Sequence, residues 1–228
     1  EAGVRVLQNG GNAFDAAVTA AFVQMIVDPQ MCGVAGFGVA NVRTASGAEQ
    51  VIDFNGTSGS LATPEMWSDI VIEQDWTGYG YHLQGGVNDV GYTSIMTPGT
   101  VAGLAEVLPR HGTISWADAL QLAIAIAEAG VIVTPELWRL WNLPGGMMYM
   151  SMFDRLQVTE ACKQVFINAQ GRTPNPGERL HNRDYAAVLR RLAEAGPEDF
   201  YSGEIAGMMA EDLAANGAFI TAEDLAAY

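Results

Sequence analysis

The side chains able to do chemistry in this 228-residue chain are few and scattered. His82, His111 and His181 fall in separate loops and helix ends, with no spacing that would gather them around a metal, and no His-Glu-x-x-His pattern occurs. They are expected to be surface or structural residues. Ser58, in "TSGS", lacks the G-x-S-x-G frame that presents a hydrolase serine on a strained turn, so a Ser-His-Asp site is not expected. Acidic residues of the later helices, such as Glu194 and Glu211, read as solvated faces. Cys32 and Cys162, far apart in sequence, define neither a disulfide framework nor a metal site and are expected to be buried free thiols. Read from its residues alone, the chain carries no catalytic group, no metal site and no cofactor.

The densest glycine stretch, "GVAGFG" (Gly33–Gly38), raises a different possibility, a phosphate cradle. Such a cradle needs strand, loop and then helix, so that the helix N-terminus faces the anion. Here the loop follows a helix C-terminus, whose dipole has the wrong sign, and leads into a strand. Close approach of the backbone to a packed neighbour explains the glycines better.

The elements that must position these residues follow from pattern and punctuation. Asn9-Gly10-Gly11-Asn12 separates two helices, with Asn12 capping the second. That second helix, an apolar run from Ala13 to Val27, carries Asp15, Thr19 and Gln24 and stops at Asp28-Pro29, short of a bilayer span. It is apolar on nearly every face and should be covered on most sides. Phe37 to Arg43 and Glu49 to Phe54, joined by "TASGA", form a hairpin signal. Trp76 to Tyr92 reads as a long ordered loop. "TPGTVAGL" (Thr97 to Leu104) opens a helix with Pro98 at its start, and Ser115 with Asp118 marks a capping box for a helix ending at Gly130. Thr134-Pro135 begins another, and Met147 to Phe166 reads as a helix with a Met-rich apolar face belonging to the core. "NAQGRTPNPGE" (Asn168 to Glu178) is the clearest linker. Asn182 caps a helix to Gly196, another runs to Asn216-Gly217, and Thr221 with Asp224 opens a last one. With strands clustered early and helices dominating later, this is the α-rich part of an α+β layered fold whose other strands lie elsewhere. Glu1 already opens a helical pattern, which predicts upstream sequence, and residues 1–228 are expected to be a single incomplete domain.

Composition limits the partners. The net charge is −15, and no Lys/Arg cluster offsets it locally, so nucleic acid is excluded as a partner. Half the chain is hydrophobic (49%) and only 16% is charged, against roughly 25% for an ordinary soluble domain. Part of the surface is therefore expected to be covered by a second chain.

Several segments in order, "VLQNGGNAFDAAVTAAF", "GVAGFG", "VIDFNGTS", "TPGTVAGLAEVLPRHGTISWADAL", "LRRLAEAGPEDFYSGEIA" and "ITAEDLAAY", resemble the large-subunit segment of γ-glutamyltranspeptidases. The resemblance implies an N-terminal-nucleophile (Ntn) hydrolase of αββα sandwich type, made as a proenzyme that cuts itself into large and small subunits. It implies that the nucleophile is the threonine at the start of the small subunit, its own α-amine serving as base, so that no histidine is needed. Neither group lies in this chain, which implies a small-subunit partner, a small-molecule amide substrate and no membrane span. One departure matters. The family's segment matching "DFNGTS" carries an arginine where this chain has Asn55, and that arginine grips the α-carboxylate of the γ-glutamyl group. Asn55 is thus the candidate substrate-binding residue, at the pocket rim or as a plain Asn-Gly turn residue, and Arg43 on the neighbouring strand is a candidate replacement charge. Three functions remain: a γ-glutamyltransferase or γ-glutamyl hydrolase, an acylase of the same fold acting on another amide such as a β-lactam side chain, and a non-catalytic scaffold.

Overall fold

The computed structural model describes residues 1–145 and 150–228. Two helices, α1 (Ala2–Gln8) and α2 (Ala13–Val27), lead into a hairpin of β1 (Gly38–Arg43) and β2 (Glu49–Phe54). A second hairpin, β3 (Val71–Gln74) and β4 (Tyr81–Leu83), precedes α3 (Thr100–His111) and α4 (Trp116–Ala129). Then come β5 (Val131–Ile132), α5 (Pro135–Trp141), α6 (Met152–Arg155), α7 (Glu160–Phe166) and β6 (Arg179–Leu180), which pairs antiparallel with β5. Helices α8 (Arg183–Ala195), α9 (Asp199–Ser202), α10 (Glu204–Ala215) and α11 (Ala222–Ala226) complete the order.

The main core lies where α2 packs on α1, α3 and α4, α4 packs on α8, and the first hairpin lies on α3. Val18 and Phe22 of α2, Leu120 of α4 and Leu189 of α8 are fully enclosed there. As its composition requires, α2 is covered on most sides, with an open strip at Ala13, Ala17 and Gln24. The expected hairpin forms, in the register that sets Gly38 opposite Phe54 and Arg43 opposite Glu49. Strand alternation buries Val42 and Ile52 against the helices and leaves Val39 (50%) and Val51 (63%) exposed on the opposite face.

The tightest polar junction is built around Asp15. Asn12 and Asp15 form a capping box at the α2 N-terminus, Asn12 Oδ1 accepting from Asp15 N and Asp15 Oδ2 accepting from Asn12 N. The same fully buried carboxylate accepts from Thr113 N (2.7 Å), Thr113 Oγ1 (2.6 Å) and Ile114 N (3.2 Å), in the turn between α3 and α4. Asn12 Nδ2 donates back to the carbonyl of His111 at the end of α3. Gly112 leaves the room, since a Cβ there would lie 2.6 Å from Asp15 Oδ1.

Three elements differ from the sequence reading. The Trp76–Tyr92 segment is not a plain loop, because Tyr81–Leu83 pairs with Val71–Gln74 around a turn that the Asp75 carboxylate closes by accepting from Thr77 N and Gly78 N. The single helix expected from Met147 to Phe166 is two short ones. Ser151 and Thr159 each cap a helix start, breaking the run, and Met147–Tyr149 lie outside the described residues. The linker at Asn168–Glu178 is a pinned turn: Arg172 pairs with Glu178, Val133 N donates to the Glu178 carbonyl and Gly177 N donates to the Val133 carbonyl, extending the β5–β6 ladder. The cysteines are free as expected but half-buried rather than buried, and burial raises both thiols above their ordinary pKa.

Burial pushes the Asp15 carboxyl up, but the hydrogen bonds from Thr113, Asn12 and Ile114 outweigh it and hold its pKa below the ordinary 3.8. A group depressed on folding stabilises the fold fully above its unfolded pKa, and the contribution is lost as pH falls through the folded value. Asp15→Asn is therefore expected to cost about 2–3 kcal/mol near neutral pH. The same variant should flatten the fall in melting temperature below about pH 4, both read by thermal unfolding across pH.

Candidate functional site

The glycine loop between α2 and β1 is occupied by protein. Gly36 N donates to the carbonyl of Gly33, and the Gly36 carbonyl in turn accepts from Gly99 N (2.9 Å) and Thr100 N (3.0 Å) at the start of α3. A helix N-terminus thus meets this loop, but its Gly99 and Thr100 N–H groups are spent on a backbone carbonyl, and that of Ala102 on the Tyr201 hydroxyl, rather than presented to an anion. The loop is a packing turn. A Cβ at Gly38 would lie 2.8 Å from the Phe54 ring, so close approach is required there.

Asn55 follows directly on β2 and is exposed. Its backbone N–H (3.0 Å) and its side-chain Nδ2 (2.8 Å) both donate to Asp53 Oδ1, so the turn is organised by the Asp53 carboxylate. The Asn55 carbonyl accepts a 2.8 Å hydrogen bond from Tyr228 Oη. Beside it opens a cavity of about 530 Å³ lined by Asp53, Asn55, Gly56, Thr57, Asp224 and Tyr228. Among the described residues of this chain, no lysine or arginine lines it.

The surrounding elements fix this rim from three directions. Phe54 turns inward, its ring so close to α3 that a Cβ at Gly103 would lie 2.2 Å from it. Thr57 pairs with Thr97 in a short antiparallel bridge that leads into α3. Asp224, in the capping box of α11, also accepts from Ser60 N (2.9 Å) and Ser60 Oγ (3.0 Å), and so ties the chain after Asn55 to the last helix. Burial pushes the Asp224 carboxyl up, and these hydrogen bonds from Ser60 and Thr221 bring it below its ordinary value, so it is ionised at neutral pH.

Arg43 does not supply the missing charge. It sits at the far end of the hairpin, opposite Glu49, whose carboxylate lies 3.7 Å away, while Asn55 follows Phe54 at the end paired with Gly38. Five residue-to-residue steps along the strand separate the two ends, roughly 17 Å. The sequence reading missed Asp53, Asp224 and Tyr228 as neighbours of Asn55. Asp224 was legible only as a helix cap, and nothing local in "EDLAAY" points 173 residues back to Asn55. The histidines stay apart, on β4, at the end of α3 and after β6, and among the described residues no group of three His, Cys, Asp or Glu could hold a metal ion.

A helix-rich α+β chain with an uncovered hairpin face and a polar rim at the end of its second strand is what one part of a layered Ntn hydrolase presents. The family model for gamma-glutamyltranspeptidase matches residues 1–228, and the chain belongs to that family. It is 34% identical over its whole length to the Acylase ACY 1 proenzyme of Pseudomonas sp. (strain SE83), of which it covers 38%. It is 33% identical, again over its whole length, to the Glutathione hydrolase proenzyme of Escherichia coli (strain K12), of which it covers 36%. The gamma-glutamyltranspeptidase structure of Helicobacter pylori superposes on 99% of the chain with a TM-score of 0.84 at 28% identity, 60% of that structure being covered. The chain thus spans less than two-fifths of the two proenzymes it resembles.

The crowding at the rim can be tested with two glycines. A Cβ at Gly99 would lie 2.0 Å from Tyr228 Oη and 2.2 Å from the Phe54 carbonyl, whereas one at Gly33 meets nothing within 4 Å. Gly99→Ala is expected to lower stability by about 1–3 kcal/mol. Gly33→Ala should stay within about 0.5 kcal/mol of wild type, with thermal unfolding of the two variants side by side as the check.

Proposed function

We propose that residues 1–228 form the large-subunit segment, an incomplete domain, of an Ntn hydrolase that cleaves a small-molecule amide. The partner is the small subunit of the same precursor, which carries the catalytic threonine. The threonine hydroxyl attacks the amide carbonyl, its α-amine takes the proton, the amine product leaves, and the ester that remains is resolved by water or an acceptor amine. Both relatives above are proenzymes by name, which supports a cut precursor. The outer face of the first hairpin exposes Val39 and Val51 among the polar residues Asn41, Arg43, Glu49 and Asp53, and these two valines support further chain packing there.

The family offers two acyl classes, since one relative is a glutathione hydrolase and the other an acylase. The lining of the Asn55 cavity supports the acylase class. Among the described residues the cavity is lined by the carboxylates of Asp53 and Asp224 and by no lysine or arginine. A γ-glutamyl group brings an α-carboxylate, which would find like charges and only a neutral amide donor where a guanidinium would form a bidentate pair. The site is therefore read as an acylase-like one, taking acyl groups without an α-carboxylate, with γ-glutamyl amides as weak substrates.

The test compares γ-glutamyl 4-nitroanilide with 4-aminobutanoyl 4-nitroanilide, which differs only in lacking the α-carboxylate. The full-length wild-type enzyme should prefer the latter, and Asn55→Arg should raise kcat/KM for the γ-glutamyl substrate by about tenfold relative to the other. Wild-type preference for the γ-glutamyl substrate, unchanged by the substitution, would place carboxylate recognition elsewhere.

A further inference from the structure

Tyr228 reaches Asn55 from the last helix. Its ring stacks on Tyr201 with centroids 5.6 Å apart and planes 12° from parallel. Tyr201 is itself anchored: its hydroxyl donates to the Pro98 carbonyl (2.9 Å) and accepts from Ala102 N (3.1 Å), and burial pushes its pKa to about 12. The stacked pair therefore rests on the start of α3, and the Tyr228 hydroxyl projects past Gly99, where any side chain would collide with it. That hydroxyl donates a 2.8 Å hydrogen bond to the Asn55 carbonyl. Burial, and then the nearby Asp53 carboxylate, raise the Tyr228 pKa, so the phenol keeps the proton it donates.

The consequence lies in the short stretch Asp53–Asn55. Asp53 holds the Asn55 N–H and side chain from one side, and Tyr228 holds the Asn55 carbonyl from the other. With both ends of the residue fixed, its side chain has one direction relative to the cavity. We propose that Tyr228 is a positioning residue for acyl recognition, fixing the Asn55 main chain and through it the orientation of the Asn55 amide. This rests on the reading of the Asn55 cavity as the acyl pocket.

Tyr228→Phe keeps the stacked ring and removes only the hydrogen bond. In the full-length enzyme it is expected to lower kcat/KM for 4-aminobutanoyl 4-nitroanilide about threefold to tenfold through KM, with kcat and melting temperature unchanged. Because the hydroxyl acts through Asn55, the same change made on an Asn55→Ala background should have no further effect. A kinetically silent Tyr228→Phe, or an effect that simply adds to that of Asn55→Ala, overturns the proposal. If Asn55→Ala alone leaves kcat/KM unchanged, the acyl-pocket reading falls and this proposal with it. If Asn55→Ala is damaging and Tyr228→Phe is silent, only the role of Tyr228 falls.

Discussion

The buried carboxylate of Asp15 is the constraint on which the rest of the structure hangs. An ionised group without solvent is tolerated only when its oxygens are filled, and here they collect hydrogen bonds from the start of α2 and from the turn between α3 and α4. Three helices are thereby fixed at one point. Since α3 carries the hairpin on its flank and α4 carries α8, the angle set at Asp15 propagates to both ends of the main core. The site inherits it as well, because the N-terminus of α3 meets the glycine loop and its first turns receive Phe54.

Glycine has a positional role in this arrangement. Gly38, Gly99, Gly103 and Gly112 each face a group that a single methyl would strike: the Phe54 ring, the Tyr228 hydroxyl, the Phe54 ring again and the Asp15 carboxylate. None of the four needs a left-handed backbone, since none is among the positive-φ glycines. Their value is the missing Cβ, which lets α3 lie against the hairpin and the turn closely enough for polar atoms to meet. The loop that invited a phosphate is the same device, a backbone surface against which a helix start is seated.

With the Asn55 cavity as the proposed acyl pocket, a small change of charge would alter what a shared fold can recognise. In a cavity with two carboxylates, one guanidinium decides whether an anionic acyl group is attracted or repelled. Asn55 holds the turn through its bonds with Asp53 and Tyr228 and brings no charge to it. Family membership is carried by the whole chain, whereas the proposed substrate preference rests on the rim of one cavity.

Local chemistry made much of this protein legible in the sequence. Asn12, Ser115, Thr134, Asn182 and Thr221 cap helices where capping side chains stand before apolar runs, and the alternating residues on either side of "TASGA" pair as a hairpin. These signals are short-range, a side chain and a backbone N–H two or three residues apart, so sequence contains them completely. What stayed hidden depends on residues distant along the chain. Nothing near Asp15 says that its oxygens are filled by Thr113 and Ile114, and nothing near Asn55 announces Tyr228. Arg43 looked close to Asn55 by strand adjacency, and only the register shows that they occupy opposite ends of the hairpin. Caps, turns and periodicity are written residue by residue, whereas the charge around Asn55 is a sum over segments that meet only when α11 folds back against the hairpin, and that meeting belongs to tertiary packing.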